Sequence, residues 1–260
     1  MDRNEKHGEE SARIRALIRP GERLDDLKRG SLRILQRPDR FCFGMDSVLL
    51  ASFAAQGRMG RMRGVDLGTG SGVLPLLICA RVPGASFDAV EIQADMADMA
   101  ARSMQICRME HRIHVHAMDL RDAPSRLGHG RYDLAVSNPP YGKSGGGQPS
   151  RAQGLRTARH EGETDVQAIC RTAAALLRNG GALAMVFPAP RLLELMDAMR
   201  AWRVEPKRVM LVHPAYGKAP NLALVEGVRN GRPMLHFLPP LFVRDGAGRE
   251  TEALEQMYRQ

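Results

Sequence analysis

From residue 64 onward, the apolar positions fall into short runs whose period switches between two and about 3.6. GVDL (64–67) is a brief strand-like run stopped by the glycine turn Gly68 to Gly72. VLPLLICARV (73–82) suits a buried helix, with Pro75 admissible only near its first turn. SFDAVEI (86–92) predicts the next strand, and ADMADMAARSMQICRM (94–109), apolar at spacings of three and four, predicts a helix. RIHVHAM (112–118) alternates like a strand, and RYDLAVS (131–137) is a further apolar run that halts at Asn138-Pro139-Pro140-Tyr141. After a glycine- and arginine-bearing loop over about 138–162, Thr164 and Gln167 form a capping box for a helix ending at Asn179-Gly180. GALAMVF (181–187) reads as a strand, Pro190 opens a helix through Trp202, and PKRVMLVHP (206–214) and NLALVEGVR (221–229) read as late strands. PPLFV (239–243) and a last helical turn near Tyr258 close the chain. Residues 1–10 are expected to be disordered, and 11–30 to form a helix or turn.

Strands alternating with helices imply an α/β fold with a parallel sheet covered on both faces. Two late strands with no helix between them imply one antiparallel insertion. The 260 residues, 43% hydrophobic and 26% charged, suit one large globular domain or one domain with a small appendage. No apolar run approaches the roughly 18–20 residues that span a bilayer, and the polar start MDRNEKHGEE predicts no secretory signal. Cys42, Cys79, Cys107 and Cys170 lie far apart with no C-x-x-C pair, so they are expected to be buried, reduced thiols rather than metal ligands. A cytoplasmic protein without metal is the consistent expectation.

The net charge of +9 is uneven. Residues 1–63 carry 14 Lys/Arg against 9 Asp/Glu, 64–137 carry 7 against 9, 138–162 carry 4 against 1, and 186–260 carry 11 against 8. Positive charge therefore collects away from the central segment, and nucleic acid is the polyanion to expect.

VDLGTGSG (65–72) joins a strand to a helix, where glycines allow a tight turn and close approach of a ligand to the backbone. The spacing is G-x-G-x-G, not the G-x-G-x-x-G of nicotinamide enzymes. Asp66 stands ready for a cationic amine, and Glu91, at the end of the next strand, for two ribose hydroxyls. Asp119, after the third strand, suits an adenine amino group. All three carboxylates are expected at neighbouring strand ends, where open α/β sheets bind ligands.

DLGTGSG, the downstream VEI and the final NPPY, in that order, resemble the class I S-adenosylmethionine-dependent methyltransferases. The resemblance implies a Rossmann-like, mostly parallel seven-stranded sheet with one antiparallel strand. It places a single methyltransferase domain at 31–260 behind an arm at 1–30. The cofactor half lies at about 60–137 and the substrate half at about 138–260. FGMDSVLLA (43–51), the arginines after NPPY, His213-Pro214, the run from Asn221 to Gly227 and Pro239-Pro240-Leu241 look like the bacterial tRNA(Val) adenine-N6 methyltransferases. That likeness implies S-adenosyl-L-methionine as cofactor and tRNA as partner. It puts Asp46 and the turn residues Gly68, Thr69, Gly70 and Gly72 at the cofactor's methionine end, Glu91 at its ribose and Asp119 at its adenine. Asp66, Ile92, Leu120 and Asn138 complete the expected cofactor contacts.

In NPPY, the prolines stiffen the backbone. The Asn138 side-chain carbonyl and the Pro139 carbonyl are two acceptors at fixed spacing, suited to the two hydrogens of a planar NH2 group. Holding both favours a pyramidal nitrogen with a directed lone pair, so positioning supplies most of the catalysis. Pro140 completes the rigid turn, and Tyr141 offers a flat face for a flipped base. Lys143, Arg151, Arg156 and Arg159 are candidate phosphate contacts. GKS (142–144) lacks the upstream glycine of a phosphate loop. Guanine N2 and the amide of protein glutamine remain alternative acceptors, and a non-catalytic cofactor-fold binding protein is the rival outside enzymes.

Overall fold

The computed structural model describes residues 3–27, 32–40, 42–140 and 166–259. Helix α1 (Arg3–Ala16) leads to an antiparallel hairpin, β1 (Arg23–Asp26) and β2 (Arg33–Gln36), and then to α2 (Met45–Ala55). The alternation follows with β3 (Met62–Leu67), α3 (Val73–Arg81), β4 (Ala85–Glu91), α4 (Ala94–Ile106), β5 (Ile113–Ala117), α5 (Ala123–Leu127) and β6 (Tyr132–Ser137). Beyond Asn138, Pro139 and Pro140, the next described elements are α6 (Val166–Leu176), β7 (Leu177–Pro188), α7 (Leu192–Ala201), β8 (Val204–His213) and β9 (Leu222–Arg229). Two short strands, β10 (His236–Phe237) and β11 (Leu241–Phe242), and α8 (Glu252–Arg259) complete the described chain.

The main sheet runs β10-β8-β9-β7-β6-β3-β4-β5, with β11 also on β8. Among the described residues it has nine strands rather than seven, because two-residue strands extend the edge beside β8. Strands β3 to β7 pair in parallel, and β9 is antiparallel to both β7 and β8, the one inserted strand that the late pattern predicts.

Helix α2 is apolar on every side and buries nine of its eleven residues, from Ser47 to Ala55. It lies with α3 and α8 against one face of the sheet, in the core that holds Leu49, Leu50, Phe53, Leu76 and Leu254. Burying each such large side chain stabilises by about 1.5–3 kcal/mol. Helices α6 and α7 cover the other face through Ile169, Ala173, Leu195 and Met199. Across the β3–β4 pair, the Phe87 ring lies over its partner Gly64, where a Cβ would sit 2.3 Å from the ring.

Three local expectations change. Residues from Arg3 onward are helical rather than disordered, and Ile14 of α1 packs with Leu35, Met96, Met99 and Ile106. Helix α6 ends at Leu176, before Asn179-Gly180, and Gly180 (φ +78°) instead sits in the register shift where β7 begins. Thr164 lies outside the described residues, while the Gln167 amide oxygen accepts from the Trp202 ring N–H at 3.0 Å, tying α6 to the end of α7. Cys79 and Cys170 are buried, while Cys42 and Cys107 are only half-buried.

Candidate active site

The β3–α3 turn is built by glycines in left-handed conformations, with φ of +82° at Gly68, +56° at Gly70 and +87° at Gly72. Residues with a Cβ rarely adopt such angles. The backbone N–H groups of Gly68 and Thr69 both donate to the Val90 carbonyl at 2.9 Å, latching the turn onto β4. Glu91, at the end of β4, is buried and divided between two backbone donors. Its Oε2 accepts from Gly70 N–H and its Oε1 from Gln93 N–H, each at 2.9 Å. The carboxylate thus braces the glycine turn from the neighbouring strand.

Asp66 is wholly buried one residue before the end of β3. Its Oδ2 accepts from the Thr69 hydroxyl at 2.6 Å, while Oδ1 has no partner among the described residues. Burial pushes its pKa to about 7; the Thr69 hydrogen bond opposes that rise and the Glu91 charge adds to it. An unsatisfied buried carboxylate oxygen is costly alone and well suited to a donor from a ligand.

Asp119 follows β5 and caps the short 3₁₀ turn Leu120–Asp122, its Oδ1 accepting from Arg121 N–H at 2.9 Å. The Arg121 guanidinium also grips this carboxylate and lowers its pKa. Leu120 is half-buried against the second core cluster. Ile92, directly after Glu91, is 64% exposed, a large apolar side chain left open at the strand ends. Asp66, Glu91 and Asp119 thus stand at or just after the carboxyl ends of adjacent strands β3, β4 and β5.

At the end of β6, the buried Ser137 donates its hydroxyl to the Leu67 carbonyl at 2.7 Å. The next residue, the half-buried Asn138, donates through Nδ2 to the Ser47 hydroxyl at 3.0 Å. Ser47 lies in the first turn of α2, where its own N–H donates to Asp46 Oδ1 at 2.8 Å. The segment leading there is held by Gln36, 2% exposed, whose Oε1 accepts from Phe43 N–H at 2.9 Å. Pro139 is buried and Pro140 exposed. Tyr141, Lys143, Arg151, Arg156 and Arg159 lie outside the described residues.

The structure therefore brings Asp46 and Asn138 together through Ser47, and Glu91 together with Gly70. Asp119 serves its own turn. Sequence reasoning did not single out Ser47, Ser137 or Gln36. Ser47 sits inside FGMDSVLLA, but nothing local to that motif shows that its hydroxyl meets an amide 91 positions later. An open depression lined by Arg200, Arg203, Glu205, Asn230 and Gly231 lies at the opposite ends of β8 and β9 and holds none of these residues.

Residues 44–201 match the family described as Methyltransferase small domain, a span that takes in Asp46, the glycine turn, the three strand-end acids and Asn138. The chain belongs to that family. As a Methyltransferase small domain protein, it is similar to a tRNA1(Val) (adenine(37)-N6)-methyltransferase of Tolumonas auensis. The two are 37% identical over 193 residues, covering 70% of this chain and 74% of that relative. An enzyme of the same description from Porphyromonas gingivalis is 32% identical over 187 residues, covering 70% and 72%. Among solved structures, a predicted O-methyltransferase of Agrobacterium tumefaciens superposes with a TM-score of 0.66 at 26% identity, covering 82% of this chain and 95% of its own. A Pyrococcus horikoshii protein solved with MeSAdo shares the fold alone, with a TM-score of 0.58 at 14% identity over 82% and 73% of the two chains.

Proposed function

We propose that this methyltransferase uses S-adenosylmethionine to methylate the exocyclic N6 amine of an adenine in tRNA. The observation that carries the reading is the Asn138 amide, at the carboxyl end of β6 and tied by its NH2 to Ser47 beside Asp46. An amide that donates through Nδ2 presents Oδ1 from its opposite edge, and an acceptor is what a target NH2 requires. The relatives from Tolumonas and Porphyromonas are named for adenine-N6 activity, which supports the same acceptor.

The residues fit the cofactor. Asp66 Oδ1 is an unsatisfied buried acceptor beside the glycine turn, suited to an ammonium group. Glu91 closes β4 where ribose hydroxyls would reach it, and Ile92 offers an apolar face for a flat ring. Asp46 and the turn of Gly68, Thr69, Gly70 and Gly72 would line the methionine end, with Asp119 and Leu120 beside the adenine. When bound, the cofactor supplies an electrophilic methyl group on its sulfonium.

Asn138 Oδ1 and the Pro139 carbonyl accept the two amine hydrogens and aim the nitrogen lone pair. The surplus proton leaves to water after transfer, so positioning rather than a strong base carries the rate. Pro140 keeps the acceptors at fixed spacing. Tyr141 stacks on the flipped base, and Lys143, Arg151, Arg156 and Arg159 meet phosphates. Residues about 60–137 serve the cofactor and those from 138 onward the substrate.

The test is mass spectrometry of nucleosides from unmodified tRNA incubated with the protein and S-adenosylmethionine. N6-methyladenosine is expected, and Asn138→Ala should lower turnover by at least about 100-fold with cofactor affinity within about twofold, as for loss of a transition-state contact. N2-methylguanosine, or methylation of a glutamine-bearing protein instead, would refute the adenine assignment.

A further inference from the structure

Strand β7 continues three residues past Met185, the partner of Ser137, to Pro188, and β9 and β8 rise with it. At about 3.3 Å per residue, this part of the sheet stands roughly 10 Å above the end of β6 as a wall beside the candidate site. Its crest is formed by the end of β8, the following loop and β11. There Phe242 stacks obliquely with His213, ring centroids 4.7 Å apart, and with Tyr216 at 5.6 Å. Tyr216 is 70% exposed, so the far face of its ring is open.

The loop that carries Tyr216 is built. Tyr216 N–H donates to the Arg244 carbonyl at 2.9 Å, and a His213 ring nitrogen lies 2.6 Å from the Lys218 carbonyl. Lys218 and Arg244 are both exposed, and neither meets a carboxylate among the described residues. Asp245, the acid adjoining Arg244, is taken by Arg249 at 2.9 Å, and Glu250, across an antiparallel bridge from Arg244, forms no ion pair with it. The Arg244 guanidinium donates to the Gly248 carbonyl at 2.8 Å.

We infer that this crest is an RNA-docking surface, on which an unpaired nucleotide near the target stacks on Tyr216 while Lys218 and Arg244 contact its phosphates. The inference rests on the tRNA reading above and adds a second contact to it. An aromatic plate flanked by exposed cations is the chemistry that holds single-stranded nucleic acid without sequence choice. Stacking needs an exposed ring with a fixed plane, which Phe242 and His213 supply. Phosphates need cations that no protein carboxylate already satisfies. Three strand spacings of about 4.8 Å separate β8 from β6, so one RNA loop reaches both the crest and the site.

The experiment measures binding of an unmodified tRNA1(Val) transcript by fluorescence anisotropy across a salt series, with S-adenosylmethionine affinity measured in parallel by calorimetry. Tyr216→Ala should weaken RNA binding about tenfold, and Tyr216→Phe should retain it. Lys218→Ala with Arg244→Ala should weaken binding and reduce the salt slope by about two. Cofactor affinity should be unchanged in every variant, which separates a lost contact from misfolding. Wild-type affinity and salt slope in the variants would overturn the inference and leave the crest to a protein partner. Failure of the wild-type protein to bind or methylate the transcript would instead overturn the tRNA reading itself.

Discussion

At the scale of single residues, Asp66 is the most consequential group. Its folded pKa of about 7 lies above the ordinary 3.8, so the protonated form is favoured in the folded protein. Stability linked to this group is full below about pH 4 and falls as pH rises through about 7. A ligand ammonium against Oδ1 favours the carboxylate, so S-adenosylmethionine should bind more tightly as pH rises from about 6 to about 8, taking up less of its free energy in removing a proton. Calorimetry in buffers of different ionisation enthalpy should register proton release at the lower pH, and Asp66→Asn should abolish it. A pH-independent affinity in the wild-type protein would show that no cation meets Asp66. Thr69 belongs to the same argument, since its hydroxyl holds the other oxygen.

At the scale of elements, the strands β3, β4, β5 and β6 are pinned by Asp88. Its carboxylate accepts from Tyr132 Oη at 2.7 Å and from Arg63 at 3.1 Å, and a His116 ring nitrogen lies at 2.7 Å. The Arg63 guanidinium also covers the Tyr132 ring at 4.7 Å. Burial alone would raise the Asp88 pKa, but the hydrogen bonds from His116, Tyr132 and Arg63 outweigh it and hold the group at about 2. A depressed folded pKa contributes stability that is present above about 4 and lost as pH falls toward 2, worth about 2 kcal/mol. Urea unfolding followed from neutral to acid pH should show this loss. Asp88→Asn should be less stable by a similar amount at neutral pH and should lack that part of the acid dependence. Each strand contributes one side chain to this cluster, and the sequence of any one strand does not show that the four converge.

At the scale of the whole molecule, the N-terminal arm is fastened to α4 rather than left loose. Arg102 of α4 is 8% exposed and grips both Glu22 carboxylate oxygens at 2.6 Å, Asp98 at 2.9 Å and the Leu17 carbonyl at 2.6 Å. The Arg102 hydrogen bond is the largest cause of the lowered Glu22 pKa. Arg102→Met should cost about 3 kcal/mol, because the Glu22 side chain, 4% exposed, loses its charged partner. The double change with Glu22→Leu should recover most of that loss in denaturant titrations. Equal losses in the single and double variants would mean that the arm contributes packing rather than a paired charge. Through β2, Gln36 and Phe43, the same arm leads into the first turn of α2, where Asp46 and Ser47 meet the site.

Much of this architecture was legible from periodicity and turn chemistry. VDLGTGSG read as a strand end, a tight glycine turn and the start of a helix, because closely spaced glycines free the backbone for a turn that other residues rarely make. The near-continuous apolar strands implied burial on both faces, and Asp66, Glu91 and Asp119 followed as strand-end residues from simple counting. Other features were decided only when distant segments met. The Asn138 amide is oriented by a serine 91 positions away, and Arg102 meets Glu22 across 80 positions. Helix α6 stops at Leu176 because β7 begins pairing with β6 at Leu177, overriding the local stop signal at Asn179-Gly180. Local patterns encode which backbone a segment adopts and which side it buries. Hydrogen-bond partners and uncompensated charges depend on through-space proximity, which the order of residues along the chain does not contain.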